Sequence, residues 1–150
     1  MNSFFVALTV TASAMAGPAK VSPTWLEDYG NALRIAKAVK QPLLIVLDKP
    51  NEPKQRTIQV RLQYDRTEVD LLGHYQLCHI DATTPYGKAV AKAFGATEFP
   101  YTAITDKRGG KLLFTRAGRF THSDWVATLA SHKDGENKRR RIFQRENCFT

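Results

Sequence analysis

Hydrophobic and polar positions alternate in blocks along this chain, and the blocks set out an order of elements. Trp25, Tyr29, Leu33, Ala36 and Val39 recur every three or four residues, which is one face of an amphipathic helix. Thr24-Trp25-Leu26-Glu27 reads as its capping box, with Thr24 at the N-cap, and Gln41-Pro42 ends it, because a residue before proline is pushed out of the helical region. Leu43-Leu44-Ile45-Val46-Leu47 is an unbroken apolar run, the signature of a strand buried on both faces. A polar loop with two prolines, Asp48 to Lys54, follows it.

The next stretch is ambiguous. Ile58, Val60, Leu62 and Tyr64 alternate with polar residues as in a strand, while Ile58, Leu62, Val69 and Leu72 also fit a gapped helix. The pattern favours an irregular or strand-like piece and then a short helix from about Thr67 to Gly73, capped from within Thr67-Glu68-Val69-Asp70. Tyr75 to Asp81 is a second buried strand. Thr84-Pro85 opens a helix with proline at its first position; Ala89, Val90, Ala93 and Phe94 form its inner face, and Gly95 stops it. Phe99-Pro100 leads into a third strand, Tyr101 to Thr105. Proline cannot donate to a sheet ladder, so it belongs at such an entry. Lys107-Arg108-Gly109-Gly110 is a hairpin turn, Lys111 to Arg116 the returning strand, and a last helix runs from about Ser123 to His132 with Trp125, Val126 and Leu129 inward. Crossover helices imply parallel strands and the tight turn an antiparallel pair. The fold class is α/β: a small mixed sheet with helices on both faces.

Composition narrows the class. The chain has 150 residues, 43% hydrophobic and 24% charged, which suits a single globular domain. No apolar run reaches the ~18 residues of a membrane span. Residues 1–16 read as a cleaved export signal, with no charge from Phe4 to Ala16 and Ala14-Met15-Ala16 as a small-x-small site; an ordinary buried N-terminal segment is the alternative. Residues 17–23 then form a linker, residues 24–132 the domain, and residues 133–150 a basic mobile tail, so the protein is expected to be periplasmic or secreted. The net charge of +8 favours anionic partners, although a surplus of this size also simply aids solubility. Lys138-Arg139-Arg140-Arg141 could make weak anionic contacts, but no stacking platform or groove helix accompanies it, so no specific nucleic-acid partner is expected.

The two cysteines, Cys78 and Cys148, sit in a core strand and near the C-terminus, and Cys78 reads as a buried free thiol. Cys78 and His79 are strand neighbours that point to opposite faces and cannot pair with each other. His74, His79, His122 and His132 lack zinc-ligand spacing, so neither a metal nor a cofactor is expected. Asp48, Asp81 and Asp106 close strands and read as turn or capping residues.

Over roughly Trp25 to His132 this ordered set resembles the thioredoxin-like superfamily, a three-layer sandwich. The residues that carry the resemblance are Leu43–Leu47 with its proline loop, the strand ending at Asp81, Phe99-Pro100-Tyr101-Thr102, the Gly-Gly hairpin, Gly118 and the closing helix. Trp25, Asp28-Tyr29 and Pro42 also look like exported bacterial proteins of that fold. The resemblance implies a cis peptide at Pro100, beside the active-site loop, shaping a surface where peptides or thiols dock. It also implies a C-x-x-C after the first buried strand, where one thiol of lowered pKa attacks as thiolate. This chain has Asn51-Glu52-Pro53-Lys54 there, which excludes dithiol chemistry at the loop. The expectation is a non-catalytic exported module that binds a protein or peptide through Phe99, Pro100, Tyr101, Asn51 and Lys54. Two rivals are a single-thiol oxidoreductase using Cys78 or Cys148 and an anion-binding protein acting through the basic tail.

Overall fold

In a computed structural model that describes residues 22–136, the elements follow the order α1 (Tyr29–Val39), β1 (Leu43–Asp48), α2 (Arg66–Leu72), β2 (Gln76–Asp81), α3 (Pro85–Phe94), β3 (Tyr101–Thr105), β4 (Leu112–Ala117), α4 (His122–His132). The strands lie in the order β2-β1-β3-β4. β1 and β2 are parallel, joined by the crossover through α2; β1–β3 and β3–β4 are antiparallel. All six residues of β1 are buried, which is why its sequence shows no polar alternation.

Alternate β1 side chains feed two cores. Leu43, Ile45 and Leu47 pack with Cys78, Ile80 and Ala103 under Ala32 and Ala36 of α1 and Val90 and Ala91 of α3. Leu44 packs on the other face with Leu77 and Ile104 beneath Leu72 of α2 and Trp125 and Leu129 of α4. This is the three-layer α/β sandwich. Among the described residues no helix is long and apolar enough to cross a membrane.

The caps at Thr84 and Gly95 stand where the sequence puts them. The Thr84 side chain accepts from Gly87 N, and Gly95 takes the left-handed conformation at φ 68°. Other expectations are corrected. The first helix starts at Tyr29 with Asp28 as N-cap, not at Thr24. Leu26 N donates to Leu77 O and His79 N to Leu26 O, at 3.0 and 2.8 Å, so this segment is extended and covers the edge of β2. Trp25 therefore leaves the helix face and joins the α2–α4 core, its Nε1 donating to Tyr64 Oη at 2.8 Å. Val39, placed inward by periodicity, is 54% exposed. On α3 the buried residues are Gly87, Val90 and Ala91, while Ala89 and Ala93 face solvent.

Residues 58–64 form no strand, and the expected alternation fails: Gln59 is buried beside Thr57, Ile58 and Leu62 are exposed, and Val60 and Tyr64 are half-buried. The second helix starts slightly early, with Asp65 and Glu68 forming its capping box. The chain also stays packed beyond His132. Gly135 is buried and its carbonyl accepts from Lys107 N at 3.0 Å, while Glu136 pairs with Lys107 at 2.5 Å. The start of the expected mobile tail at Lys133 is therefore too early. The expected signal, most of the linker, Cys148 and the run Lys138-Arg139-Arg140-Arg141 lie outside the described residues.

Candidate functional site

Three loops meet at one end of the sheet. The first leaves β1 and closes on itself. Glu52 N donates to Lys49 O, Gln55 N to Glu52 O and Lys49 N to Gln55 O, at 3.0, 2.9 and 3.1 Å. Asn51 and Lys54 are exposed on this closed turn. No helix begins at this turn; the next, α2, starts only at Arg66. A thiol placed here would therefore lack the helix N-terminus that favours a thiolate.

The second loop enters β3 through a cis Phe99–Pro100 peptide bond. Phe99 is half-buried and Lys49 Nζ lies 5.3 Å from its ring centroid, which ties this loop to the first. Tyr101 does not reach the surface. It is a core residue packed with Leu47 and Ala103, and its hydroxyl turns back to Phe94 O at 3.4 Å. Of the residues expected to contact a partner, Asn51, Lys54 and Phe99 are accessible, Pro100 is a buried support and Tyr101 belongs to the core.

The third loop leaves β4. Gly118, at φ 91°, donates its N–H to Pro100 O at 2.8 Å, a turn that favours glycine at this position. Arg119 then reaches across to donate to Pro53 O on the first loop. Arg116 stacks 4.4 Å over the Phe120 ring beneath it. Beside this junction lies a groove of about 450 Å³ with Pro50, Pro53, Ile58 and Val60 along it and the guanidiniums of Arg56, Arg61 and Arg119 around it. Sequence reading missed these arginines. They are scattered singly over more than sixty positions, and only the closed topology gathers them.

A buried carboxylate anchors the first loop from below. Asp48, 1% exposed, accepts from Thr57 N at 2.8 Å through Oδ2 and from His79 Nε2 at 2.8 Å through Oδ1. Its capping role was legible; its pairing with His79, two residues along in register on the neighbouring strand, was not. His79 thus faces Asp48, whereas Cys78 faces the opposite core, as the strand alternation requires.

Cys78 is fully buried. Burial above all, and then the Asp28 carboxylate, push its thiol up to about 12, so it is un-ionised at neutral pH and no nucleophile. Asp81 is shifted the other way: hydrogen bonds from Thr83 hold its carboxyl below its usual range, consistent with a turn role. The loops therefore offer cations, an aromatic ring and exposed apolar surface, with no thiolate.

No family model matches the sequence, and no curated protein matches it. Solved structures do match. A thioredoxin from Thermus thermophilus superposes with a TM-score of 0.61 at 15% identity, covering 73% of this chain and 86% of that one. The oxidised C-terminal domain of Neisseria meningitidis DsbD gives a TM-score of 0.53 at 11% identity, covering 72% and 98%. An oxidoreductase named DsbH gives 0.55 at 15% identity, covering 81% and 93%. The chain has a thioredoxin-like fold.

Proposed function

We propose that this thioredoxin-like protein is a non-catalytic module, exported to the periplasm or secreted, that binds an extended peptide or protein segment across its three converging loops. One observation carries the reading. The loop after β1, the Phe99–Pro100 loop and the loop after β4 are bonded into one surface through Arg119–Pro53, Gly118–Pro100 and Lys49–Phe99, yet the first loop carries Asn51 and Lys54 and closes as a turn. The surface is assembled and the nucleophile is missing. Export is supported by the uncharged stretch Phe4–Ala16 with its Ala14-Met15-Ala16 site.

The cations around the groove favour an acidic segment with an apolar residue set against Phe99 or Ile58. Arg56 makes no ion pair among the described residues, and Arg119 is fixed by Pro53 O, so little side-chain entropy is lost when it meets a carboxylate. Screening the purified protein on a peptide array is expected to select sequences combining Asp or Glu with an apolar neighbour. Their affinity, read by fluorescence anisotropy, is expected to fall about tenfold in Phe99→Ala and again in Arg119→Ala, the size of a well-placed interface contact, and to stay unchanged in Lys92→Ala on exposed α3. Peptides that bind Phe99→Ala and Arg119→Ala as tightly as the parent protein would overturn the assignment of this surface.

A further inference from the structure

A second cluster of side chains, away from the three loops' junction, is arranged as a ligand set. The capping box of α2 uses one oxygen from each of its carboxylates: Asp65 Oδ1 accepts from Glu68 N at 2.8 Å, and Glu68 Oε2 accepts from Asp65 N at 3.1 Å and from the Arg61 guanidinium. One oxygen of each is left over, and both face the same imidazole. His122, the first residue of α4, places Nε2 3.3 Å from Asp65 Oδ2 and Nδ1 3.9 Å from Glu68 Oε1. The Glu68 side chain is fully buried, yet Oε1 has no hydrogen-bond partner among the described residues. The Glu68 charge is already met by Arg61 at Oε2, but a buried carboxylate oxygen turned into a cluster without a donor calls for a partner of its own, a water or an ion.

We propose that Asp65, Glu68 and His122 bind a divalent transition-metal ion of the zinc or manganese type. One imidazole nitrogen and two carboxylate oxygens suit such an ion, whereas calcium and magnesium prefer all-oxygen sets. The three donor atoms lie within 4.8 Å of one another. Around an ion with bonds of about 2.1 Å they draw to about 3–3.5 Å, and the exposed His122 side chain is free to close that gap. Asp65 is also exposed, which leaves the remaining coordination positions open to water. The hydrogen bonds to Oδ1 and Oε2 orient the leftover oxygens as outer-shell partners do in metal sites, and Arg61 leaves the cluster one net negative charge. A bound ion would fasten the irregular segment before α2 to the start of α4. Arg61 borders the peptide groove, so the ion would also fix one wall of it.

The test uses the full chain carrying Cys148→Ser, stripped with a chelator and titrated with Zn²⁺, Mn²⁺ and Mg²⁺ by calorimetry, with melting temperature as a second readout. The expected result is a single site for Zn²⁺ or Mn²⁺ but not Mg²⁺, with a rise in melting temperature on binding. Affinity is expected to fall at least tenfold in His122→Ala and in Asp65→Asn, the latter retaining a good N-cap. The Co²⁺ form is expected to lack thiolate charge-transfer absorption. No heat and no melting shift with either transition metal would overturn the proposal, and so would binding unchanged in either variant, which would place the ion elsewhere on the chain.

Discussion

Gly87→Ala is expected to destabilise the protein by about 3 kcal/mol, at the top of the usual range for overpacking, and to lower its melting temperature by about 10 °C. A Cβ at Gly87 would lie 1.8 Å from the Asp81 carbonyl oxygen, 2.7 Å from its carbon and 3.0 Å from Ala82 Cα. All three are backbone atoms at the end of β2, and no rotamer change relieves the clash. α3 would have to lift off the sheet, losing the burial of Val90 and Ala91 and the Thr84 cap on Gly87 N. Gly110→Ala is the control. Its added methyl meets nothing within 4 Å and its φ is not positive, so a change within about 0.5 kcal/mol is expected. Thermal melts followed by circular dichroism separate the two; equal melting temperatures would mean that α3 does not pack this closely.

Asp48→Ala is expected to cost about 2–3 kcal/mol, because it strips the partner from a buried amide and from a largely buried imidazole at once. The Asp48 carboxylate is the link between the sheet and the loop that follows β1: one oxygen holds Thr57 N and the other His79 Nε2. Hydrogen exchange is expected to show the Thr57 amide and residues 49–57 losing protection before the strands do. Asp48→Asn, which still offers one acceptor, is expected to fall between the two. A variant Asp48→Ala that melts with the parent protein and keeps Thr57 protected would show that the loop is held by something else. The loop also carries Pro53, the acceptor for Arg119, so loss of this anchor is expected to weaken peptide binding without any change at the groove itself.

What the sequence made legible were the elements whose own residues decide them. The apolar run Leu43–Leu47, the Thr84-Pro85 start, the Gly95 stop and the Gly-Gly hairpin carry local chemistry that tertiary packing had no reason to override. Where the structure departs, a distant partner decided. Thr24-Trp25-Leu26-Glu27 has the pattern of a capping box, but Leu26 gains two backbone hydrogen bonds by lying extended on β2, and the helix starts four residues later. Ile58 and Leu62 looked like the buried half of an alternating strand. The Thr57 amide is instead drawn inward to Asp48, Gln59 is buried beside it, and Leu62 is 94% exposed. The site was half legible for the same reason. Pro100 and the Asn51-Glu52-Pro53-Lys54 loop are contiguous motifs, whereas Arg56, Arg61 and Arg119, the Asp48–His79 pair and the cluster of Asp65, Glu68 and His122 exist only once the chain has closed. Tyr101 was misplaced because adjacency to Pro100 says nothing about which side of the strand it faces.

On the proposed function, the thioredoxin-like fold carries a binding surface without the chemistry of a dithiol enzyme. Reduction of insulin by dithiothreitol, followed with and without the purified protein, distinguishes such a module from an oxidoreductase. The expected rate is that of dithiothreitol alone, unchanged by Cys148→Ser, since the loop after β1 has no thiol and Cys78 is buried and un-ionised. Catalysed reduction well above that rate, surviving Cys148→Ser, would contradict it.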